Sequence, residues 1–337
     1  MAGSIQYNSK GDLLKKTQFY EGPNITEWHV SQETKGNQHL YKYWQIGSAV
    51  ESLLEMKKTT AEEVAEYVPS VTAIARSIDG DAVIPISRWS TKLAIDKLRD
   101  QLEGDYHFEM VHEIEEDQWK DMFATSKAES TVVLKKAGDR GTRIHNAIEE
   151  FINPKFTPLA DEDDDALFSS HWTNHLVPED NKEKLQITFH KFQKWMNGVG
   201  FKVKATEAML FHNELEVAGT ADAILSNDDD AIYIIDFKTG SNTYWKDKLQ
   251  VSGYASCLMQ MVQQDIEVFP GLSAMKRKAG ETKELKIGGA VVHLQEDKAK
   301  TTLHHLDALA LSGIPFLSAM ALYKAKKEKG IPKEDIK

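Results

Sequence analysis

Two carboxylates and a lysine stand close together in the second half of the chain. Asp222 ends Ala218-Gly-Thr-Ala-Asp222, and Asp236 and Lys238 sit in Ile234-Ile-Asp-Phe-Lys238. Side chains two apart on a strand share a face, so Asp236 and Lys238 point the same way. The turn-forming run Ser226-Asn-Asp-Asp-Asp230 lies between the two segments. It would let them pair as a hairpin and bring Asp222 opposite that face. Two converging carboxylates suit a hard divalent cation such as Mg²⁺, which takes oxygen ligands and keeps several waters. A lysine beside them suits the negative charge that develops on a phosphoryl group under attack. The flanking Ile232, Tyr233, Ile234, Ile235 and Phe237 are apolar, and charge inside so apolar a strand is costly unless paired or metal-bound. A salt bridge between Asp236 and Lys238 at a strand end is the plainer reading of the same residues.

Three weaker signals surround this triplet. His145 lies on an amphipathic stretch, where a lone histidine is more often packing than ligand. Gln250 and Tyr254, four apart in Leu249-Gln-Val-Ser-Gly-Tyr254, share a helix face. Gly219, three residues before Asp222, leaves room for another backbone or a ligand to approach.

The elements that must position these residues follow from periodicity and punctuation. Apolar positions from Leu40 to Leu54 predict a helix over Tyr41–Met56, and Thr60-Ala-Glu-Glu63 fits a capping box opening another. Pro69-Ser-Val-Thr72 breaks that helix and starts a new segment. Ser90 reads as the N-cap of a helix carrying Leu93, Ile95, Leu98 and Leu102. A further helix is expected over Glu113–Met122, then a loop at Gly138–Gly141, then a helix carrying Ile144, Ala147, Ile148, Phe151 and Ile152. Asp161–Asp165 reads as an exposed acidic loop. After a helix over about Glu183–Met196, three strands are expected at Phe201–Phe211, Glu216–Leu225 and Ala231–Lys238. A helix over Trp245–Gln264, a strand over Gly289–Leu294 and a helix over Thr302–Lys327 complete an α/β or α+β chain.

The ordered set resembles the RecB-like branch of the PD-(D/E)xK nucleases. The matching segments are Gly141-Thr-Arg-Ile-His145, Gly219-Thr-Ala-Asp222, Ile235-Asp-Phe-Lys-Thr-Gly240 and Gln250-Val-Ser-Gly-Tyr254. Pro69-Ser-Val-Thr72 and Trp89 look like the entry segment of phage and mitochondrial genome-maintenance exonucleases. The resemblance covers residues 67 to 295. It implies a restriction-endonuclease-like α/β core, a central mixed sheet flanked by helices, with a catalytic core over 138–295 inside a nuclease domain of 67–337. Residues 1–66 are read as an N-terminal helical extension. It also implies that His145, Asp222, Asp236 and the backbone carbonyl of Phe237 bind Mg²⁺ or Mn²⁺. Lys238 orients the attacking water or stabilises the transition state, and Gln250 and Tyr254 position the site and the DNA backbone. Glu207, in the preceding strand, is a candidate outer ligand. Cys257 is the only cysteine, which excludes the four-cysteine iron–sulfur cluster of some RecB-like nucleases.

Composition bounds the rest. The chain of 337 residues is 41% hydrophobic and 28% charged, ordinary for a globular protein. It has no run of the roughly 20 apolar residues that spans a bilayer. Its start lacks the apolar core of a secretory signal, so a cytoplasmic protein without a membrane partner is expected. The net charge of −11 sits oddly with nucleic-acid binding, but distribution matters more than the sum. Lys276-Arg-Lys278 and the lysines from 324 to 329 are local basic runs, equally readable as solvated helix faces. No base-reading motif is evident, and Tyr41, Tyr43, Trp44 and Trp89 are aromatics that either stack bases or pack helices. The expected activity is therefore a metal-dependent DNA exonuclease acting on single-stranded ends in replication, recombination or repair, with single-stranded DNA or the ends of duplex and a replication or recombination protein as partners and a phage source as the guess. The alternatives are a structure-specific endonuclease and a non-catalytic DNA-binding protein that has kept the fold.

Overall fold

Among residues 2–46 the elements are strands. Ala2–Tyr7 (β1), Leu13–Gly22 (β2), Thr26–Lys35 (β3) and Gln38–Ile46 (β4) form an antiparallel meander in that order. The helical N-terminal extension expected over residues 1–66 is thus corrected, as is the start of the helix expected over Tyr41–Met56. Leu40 and Trp44, four apart, match a helical period. Tyr41 and Tyr43 match a strand period, and cross-strand pairing decides: Tyr41 lies opposite Gln32, Tyr43 opposite Val30. The inner face of this sheet meets the main core, where Trp28 and Tyr43 both pack on Phe211, at 5.0 and 4.8 Å between ring centroids.

The structure is a computed structural model. It describes residues 2–7, 13–23, 26–35, 38–46, 65–77, 83–104, 114–152, 182–227, 230–240, 242–282, 285–294, 302–306 and 311–328. The remainder of the Tyr41–Met56 helix, the capping box at Thr60–Glu63 and the acidic run Asp161–Asp165 lie outside the described residues. The chain divides into two compact units, one of residues 1–78 and 145–337, the other of 79–144.

The smaller unit is helical. It holds Val83–Gly104 (α2) and the first part of Glu116–Ile152 (α3), with the Ser126 hydroxyl donating to Gln101 Oε1 at 3.1 Å. Ser90 lies inside α2 and is not an N-cap. The loop expected at Gly138–Gly141 is helix as well. A glycine costs only about 1 kcal/mol in a helix interior, and the run of helix-compatible residues on both sides carries α3 through it.

The larger unit is built on a five-stranded mixed sheet of order β5-β6-β7-β8-β9. Its strands are Lys202–His212 (β5), Val217–Ser226 (β6), Ala231–Lys238 (β7), Lys286–His293 (β8) and Thr302–His305 (β9). Neighbours are antiparallel except β7 and β8, which run parallel. Val71–Arg76 (α1), with Ser70 as its N-cap, and Lys182–Gly198 (α4) precede the sheet. Trp245–Gln263 (α5) and Leu272–Thr282 (α6) connect β7 to β8, and Ile314–Glu328 (α7) follows β9. The helix expected over Thr302–Lys327 therefore begins as a strand. β9 covers the edge of β8, whose buried backbone needs partners. Helix α5 is buried around most of its circumference, from Leu249 to Val262. Gly253 makes this possible on one side: a Cβ there would fall 2.5 Å from the Phe316 ring of α7. Among the described residues no helix is long and apolar enough to cross a membrane.

Candidate active site

The hairpin of β6 and β7 pairs only from Ala223–Ile235 to Ser226–Ile232, the end nearest its turn. Beyond that the ladder stops, and the Phe237 N–H is taken by the Asp222 side chain, with Oδ2 at 2.7 Å. A carboxylate thus does what strand backbone does further along. On its other edge β7 stays paired with β8 as far as Lys238 opposite His293, and Leu294 N–H donates to Lys238 O at 2.8 Å. The end of β7 is firmly held on one side and opened by Asp222 on the other.

Asp236 is 1% exposed, and its Oδ2 contacts the ammonium of the half-buried Lys238. The ion pair and the converging site are therefore the same object. His145, on α3, brings Nδ1 to 3.5 Å from Asp222 Oδ2, and its ring stands edge-on to Phe237. The Phe237 ring itself is wedged against Phe192 and Trp195 of α4, which fixes the strand beneath its charged neighbours. Glu207 occupies the β5 position opposite Asp222, between the Thr206–Ala223 and Ala208–Ala221 pairs.

Electrostatics bind these groups together. Burial, then the Asp222 charge, push the Glu207 carboxyl above its ordinary range, and Lys16 only partly offsets this. Burial also raises Asp236 despite the Lys238 ammonium, and Asp222 adds to the rise. Burial lowers Lys238, but Asp236 and Asp222 outweigh it and the net direction is upward, so the ammonium stays charged. Glu149, one helical turn beyond His145, is raised by burial, with Lys16 opposing and Asp222 adding. The carboxylates repel one another in a poorly hydrated place that Lys16 and Lys238 do not neutralise. Such a donor set fits a divalent cation. Among the described residues no three His, Cys, Asp or Glu side chains are disposed to hold a metal ion as they stand. Asp222 is occupied with the Phe237 N–H and Asp236 with Lys238, so binding would draw both carboxylates toward the ion.

Gln250 and Tyr254 do share a face of α5: Gln250 Nε2 donates to the Tyr254 hydroxyl at 2.8 Å, and Thr72 Oγ1 lies 3.4 Å from it. Tyr254 is 2% exposed, so it contacts the core rather than a ligand. The close approach expected at Gly219 is that of Tyr254, whose ring would sit 2.7 Å from a Cβ there. Tyr254→Phe should cost about 0.5–1.5 kcal/mol in a denaturant titration, since it takes the acceptor from the half-buried Gln250 amide. It should slow cleavage only modestly. A variant of wild-type stability would show that the hydroxyl holds nothing in place.

Sequence reasoning missed Glu149, Lys16 and Gln18. Glu149 carried a usable signal, its four-residue spacing from His145. Lys16 and Gln18 carried none, because they meet β5 across roughly half the chain. The basic runs are mostly tied to the fold. Lys276 bonds Val262 O and Asp265, Lys324 pairs with Glu216, Lys326 donates to Ser77 O, and Lys327 lies over the Tyr323 ring.

A family model described as the PD-(D/E)XK nuclease superfamily matches residues 106–316. No curated protein sequence matches the chain. Among solved structures, the crystal structure of SSO0001 is similar over 54% of this chain and 85% of that chain, with 11% identity and a TM-score of 0.23.

Proposed function

The chain belongs to the PD-(D/E)XK nuclease superfamily, and on that premise we propose that it is a metal-dependent DNA exonuclease of the RecB-like branch. The branch is supported by the order of His145, Gly219-Thr-Ala-Asp222, Asp236-Phe-Lys238 and Gln250 to Tyr254. The observation that carries the activity is the docking of the Asp222 carboxylate on the Phe237 N–H beside the Asp236–Lys238 pair.

In this reading His145, Asp222, Asp236 and the Phe237 carbonyl would hold Mg²⁺ or Mn²⁺. When bound, the ion acts as a Lewis acid on the scissile phosphate and lowers the pKa of a water. The carboxylate and carbonyl donors suit Mg²⁺ and Mn²⁺ alike, and an imidazole among them is better tolerated by Mn²⁺ than by Mg²⁺. The Lys238 ammonium donates to the oxygen on which charge develops. Asp236, by holding that ammonium, sets where it points. Gln250 is positioned by Tyr254 and presents its amide toward the DNA backbone.

Attack from a free single-stranded end, in replication, recombination or repair, is the finer part of the proposal. It rests on the absence from the sequence of an element that reads base edges and on the branch resemblance. Covalently closed single-stranded circles test it. With Mg²⁺ present, linear strands labelled at either end should be degraded and circles of the same sequence should survive. Equal loss of circles makes the protein an endonuclease. Binding without cleavage of either makes it a DNA-binding protein on a nuclease fold.

A further inference from the structure

β5 is the end strand of its sheet, so backbone groups on its outer edge lack a strand partner there. At Glu207 it also leaves the extended conformation: φ is +46°, in the left-handed region that side chains other than glycine seldom adopt. A conformation of this kind persists only where the surroundings hold it. The hold comes from β2. Gln18 Nε2 donates to Glu207 O at 2.7 Å, and Gln18 Oε1 accepts from Met209 N–H at 2.7 Å. One carboxamide, with one donor and one acceptor, stands where a neighbouring strand residue would. Gln18 is buried, 8% exposed, and the Tyr20 hydroxyl braces the arrangement from 2.6 Å at Gln18 Oε1 and 2.8 Å at Met209 O. Two residues earlier on the same face of β2, Lys16 Nζ lies 3.8 Å from the Glu207 carboxylate.

We propose that Gln18 is a positioning residue of the nuclease centre, holding Glu207 in its left-handed backbone so that the carboxylate faces Asp222 and joins the donors of the metal site. Directly opposed residues on antiparallel strands project from the same face, and the kink at Glu207 decides how the longer side chain is aimed. The inference rests on the nuclease reading above. It adds that the centre is completed by a sheet outside the segment 106–316 matched by the family model.

The full-length protein and Mn²⁺ provide the test, by calorimetric titration and by the rise in thermal midpoint on adding Mn²⁺. Gln18→Leu, close in size but without hydrogen bonds, should weaken Mn²⁺ binding about 10- to 100-fold, as expected when a group orienting a ligand is lost. Gln18→Met, unbranched and uncharged, likewise lacks the donor to Glu207 O and the carbonyl acceptor for Met209 N–H, and should weaken binding in the same direction. Glu207→Gly adopts the backbone freely but lacks the carboxylate. Combining it with Gln18→Leu should weaken binding no further than Glu207→Gly alone. Wild-type Mn²⁺ affinity in both Gln18 variants, whatever their thermal midpoints, overturns the proposal and leaves Gln18 a structural residue. Additive losses in the double variant overturn the route through Glu207. If the wild-type chain binds no Mn²⁺, the nuclease reading itself falls and takes this inference with it.

Discussion

Lys238→Ala should cut DNA cleavage by about 10²- to 10³-fold or more while Mn²⁺ and DNA binding persist, the loss typical of a donor aimed at developing negative charge. The geometry gives the metal arm a sign. The Lys238 ammonium occupies Asp236 Oδ2, so it competes with any cation for that carboxylate. Its removal should leave Mn²⁺ affinity unchanged or tighter. A purely structural ion pair would behave in the opposite way. Asp236 is almost completely buried, and taking away its partner would lower stability while turnover survived. Single-turnover cleavage at saturating Mn²⁺, run beside a titration of metal binding, separates the two. Wild-type turnover by a folded variant refutes the role of Lys238.

Asp222→Asn should abolish divalent-ion binding without harming the fold. The loss should reach at least the roughly 10- to 100-fold seen when only a group supporting a ligand is removed, and cleavage should fall with it. An amide oxygen can still accept the Phe237 N–H, which now lies 2.7 Å from Oδ2, so the hairpin end should keep its shape. The charge effect favours the folded metal-free state. Asp222 raises Glu207, Asp236 and Glu149 by repulsion, and neutralising it relieves all three, which outnumber the one attraction lost, that for the Lys238 ammonium. The thermal midpoint without metal should therefore hold or rise, while the increment on adding Mn²⁺ disappears. A variant that still gains stability from Mn²⁺ as the wild type does would remove Asp222 from the metal site.

How much of this was legible in the sequence depended on the distance over which each feature is encoded. Asp236 and Lys238 are two apart on a strand, and Gln250 and Tyr254 four apart on a helix. Those periods are properties of the backbone, so the shared faces followed directly. The hairpin joining Asp222 to Asp236 followed from one turn-forming run. The N-terminal region is ambiguous in sequence because Leu40, Trp44 and their neighbours satisfy a helical period as well as a strand period. Only pairing with β3, a contact between separate segments, removes the ambiguity. Likewise Ser90 looks like a cap and Gly138–Gly141 like a loop in isolation, yet the surrounding helix overrides both.

By itself, then, the sequence determined which side chains could do chemistry and which of them share a face, since both depend on residue type and local period. The tertiary structure alone decided that the hairpin ladder ends where Asp222 takes the Phe237 N–H, that Tyr254 turns into the core, and that Gln18 reaches β5 from 189 positions away. Those outcomes depend on which buried polar groups find partners once distant strands pack together, and no local period encodes them.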